Sequence, residues 1–176
     1  MTAPTPSRDH DARATLSDPL VRELLDARLV GVLATLRRDG AVDAVPMWYA
    51  LEGDTLVLAT GSRSQKVRNL EADPRATLVL HDSRPGYEVC GASIVGTVEI
   101  LRGTSARAHV ELVHWRYLAQ EAATDDSVRA FLDSDNVALL LSPTGSVTWD
   151  ERGSDAAEVV RARGWALPLV TTEPRE

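Results

Sequence analysis

Cysteine, lysine and long apolar runs are all scarce in this sequence of 176 residues. Its single cysteine, Cys90, excludes an intrachain disulfide and a cysteine-based zinc site, and we expect no metal. No apolar run approaches the roughly 18 residues that span a bilayer, and residues 1–11 lack the apolar core of a signal peptide. These absences predict a cytoplasmic protein with no membrane partner.

A surplus of basic charge is also missing, because 19 Lys and Arg residues stand against 26 Asp and Glu residues, for a net charge of −7. General electrostatic binding of nucleic acid or anionic lipid needs excess positive charge. Neither is expected as a partner, so a bound anion must be held by a local site. All but one of the basic residues are arginine, and the exception is Lys66.

Familiar site motifs are absent as well. The sequence has neither the G-x-G-x-x-G dinucleotide motif nor the G-x-x-x-x-G-K-[ST] phosphate loop. Gly96 lies one residue too far beyond Gly91 for a nucleophile elbow. A doubly wound nucleotide-binding fold would alternate strands and helices strictly, which the first three strand patterns do not.

The length predicts one domain. Residues 1–16 are rich in Thr, Pro, Ser and Asp and have little to bury, which predicts a flexible leader. Residues 17–151 carry the patterns of the domain, and residues 152–176 are expected to form a C-terminal helix and tail.

Short apolar and β-branched segments joined by tight turns dominate the domain, including a hairpin signal at Asp39-Gly40. The predicted strands are residues 29–36, 41–51, 55–60, 75–81, 87–101, 136–141 and 146–149, with a turn at 143–145 between the last two. This pattern indicates a mainly β fold with flanking helices, arranged as a closed or nearly closed antiparallel barrel.

Residues 56–70 read as a strand, a Gly/Ser turn and a helix that begins near Ser64. Free backbone N–H groups at a helix start, together with the hydroxyls of Thr60, Ser62 and Ser64, are suited to holding a phosphate. Lys66 lies in the first turn, where a compact ammonium suits a point-charge role. The alternative is an incidental surface lysine.

The segment Pro46-Met47-Trp48-Tyr49 is the second candidate. In a strand, Met47 and Tyr49 point to one face and Trp48 to the other, beside a backbone edge interrupted by Pro46. Such a surface suits a planar ring, although these side chains can equally fill the core or a dimer interface. Trp149, near the end of the last strand pair, has the same ambiguity.

Several stretches together resemble the pyridoxamine 5'-phosphate oxidase-like superfamily, most closely its flavin- and deazaflavin-dependent oxidoreductases. They are residues 31–36, 39–40, 45–49 and 56–60, followed by Ser64-x-Lys66-x-x-Asn69-Leu70-x-x-Asp73-Pro74-Arg75. The resemblance implies a six-stranded antiparallel split β-barrel of the FMN-binding type. It also implies a homodimer with two cofactor sites at the subunit interface, and FMN or the deazaflavin coenzyme F-420 as cofactor.

By position, the resemblance implies that Lys66 binds the cofactor phosphate together with Thr60, Ser62 and Ser64. It also places Pro46, Met47, Trp48 and Tyr49 along the ring, Asn69 near the phosphate or supporting the helix, and Trp149 against the ring from the partner subunit. Arg37, Arg63 and Arg68 are candidates for the anionic tail of a longer deazaflavin. The arginine-rich C-terminal segment of the vitamin-forming oxidases is missing, which argues against oxidation of pyridoxamine phosphate.

The implied activity is hydride transfer between the cofactor and a small organic substrate. The cofactor carries out the electron chemistry, and the proton comes from water or from a hydroxyl such as that of Tyr49. The alternative is a non-catalytic protein of the same fold that binds flavin, haem or tetrapyrrole. A haem carrier would need an axial ligand, for which His81, His109 and His114 are the candidates.

Overall fold

The computed structural model describes residues 12–167, and their side chains from residue 14 onward. Six α-helices lie in this part of the chain: α1 Ala12–Leu16, α2 Pro19–Asp26, α3 Gln65–Ala72, α4 Thr104–Tyr117, α5 Asp126–Leu132 and α6 Asp155–Arg163. A 3-10 helix, Gln120–Thr124, joins α4 to α5. The strands are β1 Gly31–Leu36, β2 Val42–Met47, β3 Tyr49–Glu52, β4 Thr55–Gly61, β5 Arg75–Arg84, β6 Glu88–Leu101 and β7 Asn136–Asp150.

All strands join one antiparallel sheet in the order β2-β1-β5-β6-β7-β4-β3. The sheet has seven strands where the resemblance implied six, because the predicted strand 41–51 divides at Trp48. Before that residue β2 pairs with β1, and after it β3 pairs with β4. The two edge strands are therefore adjacent along the chain, and the cleft described below lies where they separate.

The predicted turn at 143–145 is not a turn. β7 runs through it without interruption and pairs with β6 on both sides, with a register shift between Val95 and Gly96 opposite Pro143. Gly96 makes the shift possible, because a Cβ there would overlap the carbonyl group of Ser142. A bulge, rather than a reversal, absorbs these turn-forming residues.

The core lies inside the curved sheet, where alternate residues of the strands are buried. Helix α2 closes part of it with Val21, Leu24 and Leu25. The Asp18 carboxylate begins this helix by accepting from the backbone N–H groups of Leu20 and Val21, at 2.9 and 3.1 Å. An N-cap of this kind contributes about 1 kcal/mol.

The last residues of the predicted leader are ordered, because α1 belongs to the domain. Leu16 is part of the main core cluster, and Thr15 is also buried. Residues 1–11 of that leader lie outside the described part of the chain.

A C-terminal helix is present as α6, which begins at a Ser154 cap and buries Ala157. Arg161 ties it to Glu88 of β6 at 2.7 Å. The rest of the predicted tail, residues 168–176, lies outside the described part. Within the described helices, none is long and apolar enough to cross a membrane.

Candidate functional site

Three of the predicted phosphate-binding residues meet where β4 leads into α3. The Lys66 Nζ donates to the Thr60 Oγ1 at 3.3 Å, and the Thr60 hydroxyl donates to the Ser64 Oγ at 3.4 Å. Ser64 is the N-cap of α3, yet its side chain bonds none of the helix N–H groups. The Ser64 hydroxyl hydrogen and the N–H groups at this helix start therefore remain available to an anion.

The Lys66 ammonium is partly buried and electrically uncompensated. Within residues 14–167 no carboxylate lies at ion-pair distance from it. Burial lowers the pKa of Lys66, and the more distant charge of Asp43 on β2 acts weakly in the opposite direction. A half-buried cation without a counter-ion is an unfavourable arrangement that a bound anion relieves.

Ser62 is held elsewhere. Its backbone N–H donates to the Asp135 carbonyl oxygen at 2.9 Å, and its hydroxyl donates to the carboxylate of the same residue. These bonds fasten the turn after β4 to the loop before β7. The structure thus brings Thr60, Ser64 and Lys66 together and ties Ser62 to Asp135.

Asn69 holds α3 against the sheet. Its side chain is buried and donates to the Thr35 Oγ1 on β1 at 3.0 Å. Its Oδ1 accepts from the Gln65 Nε2 at 2.8 Å. Both groups of the amide are therefore occupied, and the contacts are those of a residue that supports the helix carrying Lys66.

A cleft opens between β2 and the end of β4. Tyr49 is the first residue of β3 to pair with β4, opposite Leu58. Beyond that pair, residues 59–61 of β4 bond only to β7, while β2 bonds only to β1. Among the described residues, the facing edges of β2 and β4 therefore lack strand partners, and Lys66 stands beside one end of this opening.

The aromatic segment follows the predicted alternation. Met47 and Tyr49 are buried in the core, while Trp48 is partly exposed on the other face. The Trp48 ring stacks on Tyr117 of α4, with ring centroids 4.9 Å apart and an angle of 6° between planes. Pro46 and Trp48 line an apolar pocket of about 500 Å³ beside the cleft.

The side chain of Tyr49 lies away from the cleft. Its hydroxyl donates to the carbonyl oxygens of Leu24 and Ala27 at 3.0 and 3.2 Å, at the C-terminal end of α2. Burial raises the pKa of Tyr49 to about 12. This hydroxyl satisfies helix carbonyls, and we do not propose it as a proton source for a reaction in the cleft.

Replacing Tyr49 with phenylalanine is expected to lower the free energy of unfolding by about 1–2 kcal/mol, because the Leu24 carbonyl loses its donor inside the core. In the wild type, stability should fall between about pH 10 and pH 12, where the unfolded phenol ionises before the folded one. Urea unfolding at several pH values measures both effects. A variant as stable as the wild type, with the same alkaline slope, would contradict this role.

Trp149 is at the other end of β7 from the cleft. It lies opposite Gly91 of β6, and its indole covers that glycine so closely that a Cβ would overlap it. The end of β4 instead pairs with Asn136, the first residue of β7. Trp149 is therefore not part of the cleft of its own protomer.

The arginines near the cleft form a second, more polar pocket of about 450 Å³. Arg37 and Arg68, both expected as tail-binding candidates, line it together with Arg38, Gln65, Asn69 and two carboxylates, Asp39 and Glu71. Arg63 is not among its lining residues, and its carbonyl oxygen accepts from the Arg68 Nη1 at 2.5 Å.

The sequence interpretation named His114 only as a possible haem ligand and missed Phe131, and both line the apolar pocket. His114 falls four residues after Val110 on α4, so the two lie on one face of the helix, and both are buried. That spacing is the signal that would have placed the imidazole against the sheet. Nothing comparable marks Phe131, which α5 brings to the same pocket.

Comparison with known proteins gives a consistent result. A family model described as pyridoxamine 5'-phosphate oxidase matches residues 17–150. No curated protein matches the chain. Among solved structures, a conserved hypothetical protein from Mycobacterium tuberculosis is 25% identical, with a TM-score of 0.65, over 90% of this chain and 92% of that one.

Two further structures are similar. A protein described as an F420 reductase is 27% identical, with a TM-score of 0.56, over 72% of this chain and 94% of that one. A haem-binding protein from Mycobacterium smegmatis shares the fold at 22% identity and a TM-score of 0.56, over 91% of this chain and 62% of that one. The family match over residues 17–150, on an antiparallel sheet of the expected kind, shows that the chain belongs to the pyridoxamine 5'-phosphate oxidase family.

Proposed function

We propose that the protein is an oxidoreductase that uses FMN or the deazaflavin coenzyme F-420. The observation that carries the proposal is the half-buried ammonium of Lys66 at the start of α3, beside Thr60 and Ser64, with no carboxylate at ion-pair distance among residues 14–167. Both cofactors have a phosphate that would compensate this charge. The similarity to a protein described as an F420 reductase supports the proposal.

The residues present fit such a cofactor. Lys66, Ser64 and the N–H groups at the start of α3 would hold the phosphate. The edges of β2 and β4, which lack strand partners among the described residues, offer backbone donors and acceptors to the polar rim of a ring. Asn69 keeps α3 in place. When bound, the cofactor supplies or accepts a hydride. Arg68 suits the additional negative charge of a deazaflavin tail, as does Arg37 once it leaves Asp39, with which it is paired at 3.4 Å.

Titration of FMN, coenzyme F-420 and riboflavin into the cofactor-free protein tests the proposal. Binding of one phosphorylated cofactor at least tenfold tighter than riboflavin is expected, since a charge-assisted contact contributes about 1.5–3 kcal/mol. Equal affinity for FMN and riboflavin, with no binding of coenzyme F-420, would argue against a phosphate site at Lys66.

We also propose a homodimer formed through the face of the sheet where β2, β1, β5, β6 and β7 lie side by side. This face contains a groove of about 760 Å³, and none of the residues that line it is acidic. Val42, Val95 and Val147 are exposed there. Arg75 is the one charged residue of the lining and is paired with Asp73 at 2.6 Å. A second copy of a chain with net charge −7 can therefore pack here with little repulsion between like charges.

Val95→Arg is expected to convert the dimer to a monomer, because a two-fold contact brings the new charge close to its own copy. Light scattering at micromolar concentration measures the change. Val159→Arg, on the exposed face of α6 and outside the groove, is the matched control and should remain dimeric. A wild-type monomer that still binds cofactor would refute the dimer, and with it the expected contact of Trp149 from the partner subunit.

One observation favours a second candidate, a carrier of haem or another tetrapyrrole. His114 presents an imidazole to the apolar pocket, as an axial ligand would. The Nε2 of His109 lies 3.0 Å from the Glu52 carboxylate, and its Nδ1 contacts the Ser105 carbonyl oxygen, so both ring nitrogens already have partners. The visible spectrum of the purified protein distinguishes a flavin, a deazaflavin and a haem.

A further inference from the structure

The apolar pocket beside the cleft has the properties of a small-molecule site. Its volume is about 500 Å³, and its lining includes Pro46, Trp48, Ala59, His114, Val128 and Phe131. No Asp, Glu, Lys or Arg lines it. Small-molecule sites are typically concave and mostly apolar, with a few polar groups that orient the ligand.

His114 provides such a polar group. Its Nδ1 lies 2.7 Å from the carbonyl oxygen of Val110. A carbonyl oxygen only accepts, so Nδ1 bears the hydrogen, and Nε2 of the neutral ring is an acceptor. Within residues 14–167, Nε2 has no hydrogen-bond partner, and it is not among the polar atoms sealed from solvent. His114 is only 8% exposed and lines the pocket, which makes its unused Nε2 the acceptor available to a molecule bound there.

Neighbouring rings fix the orientation of this imidazole. Trp48 meets it edge-on, with ring centroids 5.8 Å apart, and Phe131 lies against it at 5.4 Å. Trp48 is itself stacked on Tyr117. The acceptor is therefore held in place between flat apolar walls, an arrangement that suits a flat ligand bearing one donor.

We propose that this pocket binds a flat, uncharged, largely apolar molecule whose single hydroxyl or N–H group donates to the Nε2 of His114. Pro46 on β2 and Ala59 on β4 line the pocket and also border the cleft, so a molecule bound here lies next to the cleft. Identifying it as the substrate rests on the proposed oxidoreductase function. His114 then determines specificity by selecting substrates that carry a donor.

Calorimetric titration of the full chain without cofactor tests this, with 2-naphthol and 2-methoxynaphthalene as probes. The two share a flat apolar ring system, and only the first has a donor. The wild type should bind 2-naphthol about tenfold tighter, the scale of one hydrogen bond. His114→Phe should bind both probes equally. His109→Gln, on the same helix but outside the pocket, should keep the preference.

Equal binding of the two probes by the wild type, or a preference that survives in His114→Phe, would overturn the proposal. Val128→Trp fills the pocket from α5 and leaves the imidazole in place, so it decides the question if His114→Phe does not fold. Val128→Trp should bind neither probe. Unchanged binding would mean that the probes bind outside this pocket, which would overturn the proposal. Haem binding that depends on His114, without a preference for 2-naphthol, would assign the pocket to haem and refute the proposal.

These titrations contain no cofactor, so they are independent of the phosphate site. A failure here would leave the Lys66 proposal standing. If the protein binds no cofactor, a measured preference for 2-naphthol still holds. Only the identification of the bound molecule as a substrate is then withdrawn.

Discussion

Lys66→Ala is expected to weaken the binding of FMN or coenzyme F-420 by about one to two orders of magnitude. The substitution removes a charge-assisted contact with the phosphate, which contributes about 1.5–3 kcal/mol. The fold should be little affected, because the Lys66 ammonium donates only one hydrogen bond within the described residues, to Thr60. Fluorescence titration of the cofactor, with thermal unfolding in parallel, measures both quantities.

Two controls make this test specific. Riboflavin has no phosphate, so its affinity should be nearly the same in Lys66→Ala and in the wild type. Lys66→Arg should restore only part of the affinity, because the planar guanidinium does not occupy the same point as a compact ammonium. If Lys66→Ala binds FMN and coenzyme F-420 as the wild type does, the lysine is an ordinary surface residue.

The pH dependence of binding follows from the same group. Burial lowers the pKa of Lys66 in the free protein, and a bound phosphate would raise it again. Binding then takes up a proton, so affinity for FMN should fall as the pH rises above the lowered pKa, by up to tenfold per pH unit. Riboflavin measured in parallel corrects for ionisation of the ring. A fall that persists in Lys66→Ala would assign it to another group.

Gly96→Ala is expected to destabilise the fold by roughly 3 kcal/mol, at the upper end of overpacking costs. A Cβ at this bulge would overlap the carbonyl oxygen of Ser142 and lie 2.9 Å from its carbonyl carbon. These are backbone atoms of the paired strand, so relief requires the β6 and β7 ladder to move. For a chain of this size, the melting temperature should drop by about 6–12 °C.

Gly153→Ala is the matched control, because its added Cβ meets no atom within 4 Å and its φ lies outside the left-handed region. Its stability should stay within about 0.5 kcal/mol of the wild type. Urea unfolding of both variants provides the comparison. A Gly96→Ala protein as stable as Gly153→Ala would mean that the bulge between β6 and β7 yields easily to an added methyl group.

The sequence was sufficient wherever local chemistry decides the outcome. Alternation along a strand predicted that Met47 and Tyr49 share one face and Trp48 the other, and the structure buries Met47 and Tyr49 in the core and leaves Trp48 partly exposed. The Gly/Ser turn before a helix predicted that Thr60, Ser62, Ser64 and Lys66 converge, because strand, turn and helix are continuous in the chain. All but Ser62 do so. Over so few residues, backbone geometry leaves little freedom.

Contacts between segments that are distant in the sequence could be identified only from the tertiary structure. The division of strand 41–51 at Trp48 reflects different pairing partners on each side, while the residues themselves stay extended. β7 passes through Pro143 because Gly96, far away in sequence, leaves room for the bulge. The preference of these residues for a turn is local and small compared with the summed hydrogen bonds of a long strand ladder. The ladder therefore decides the conformation.

The fate of individual polar groups was likewise decided by tertiary packing. The sequence offered the Tyr49 hydroxyl as a proton source and the Ser62 hydroxyl as a phosphate ligand. Folding brings α2 to the first and Asp135 to the second. It also carries His114 and Phe131 to the pocket beside Trp48. The partner of each of these groups comes from a segment that is distant in the chain. The amino-acid sequence shows which donors, acceptors and rings exist, and the tertiary structure decides which of them meet.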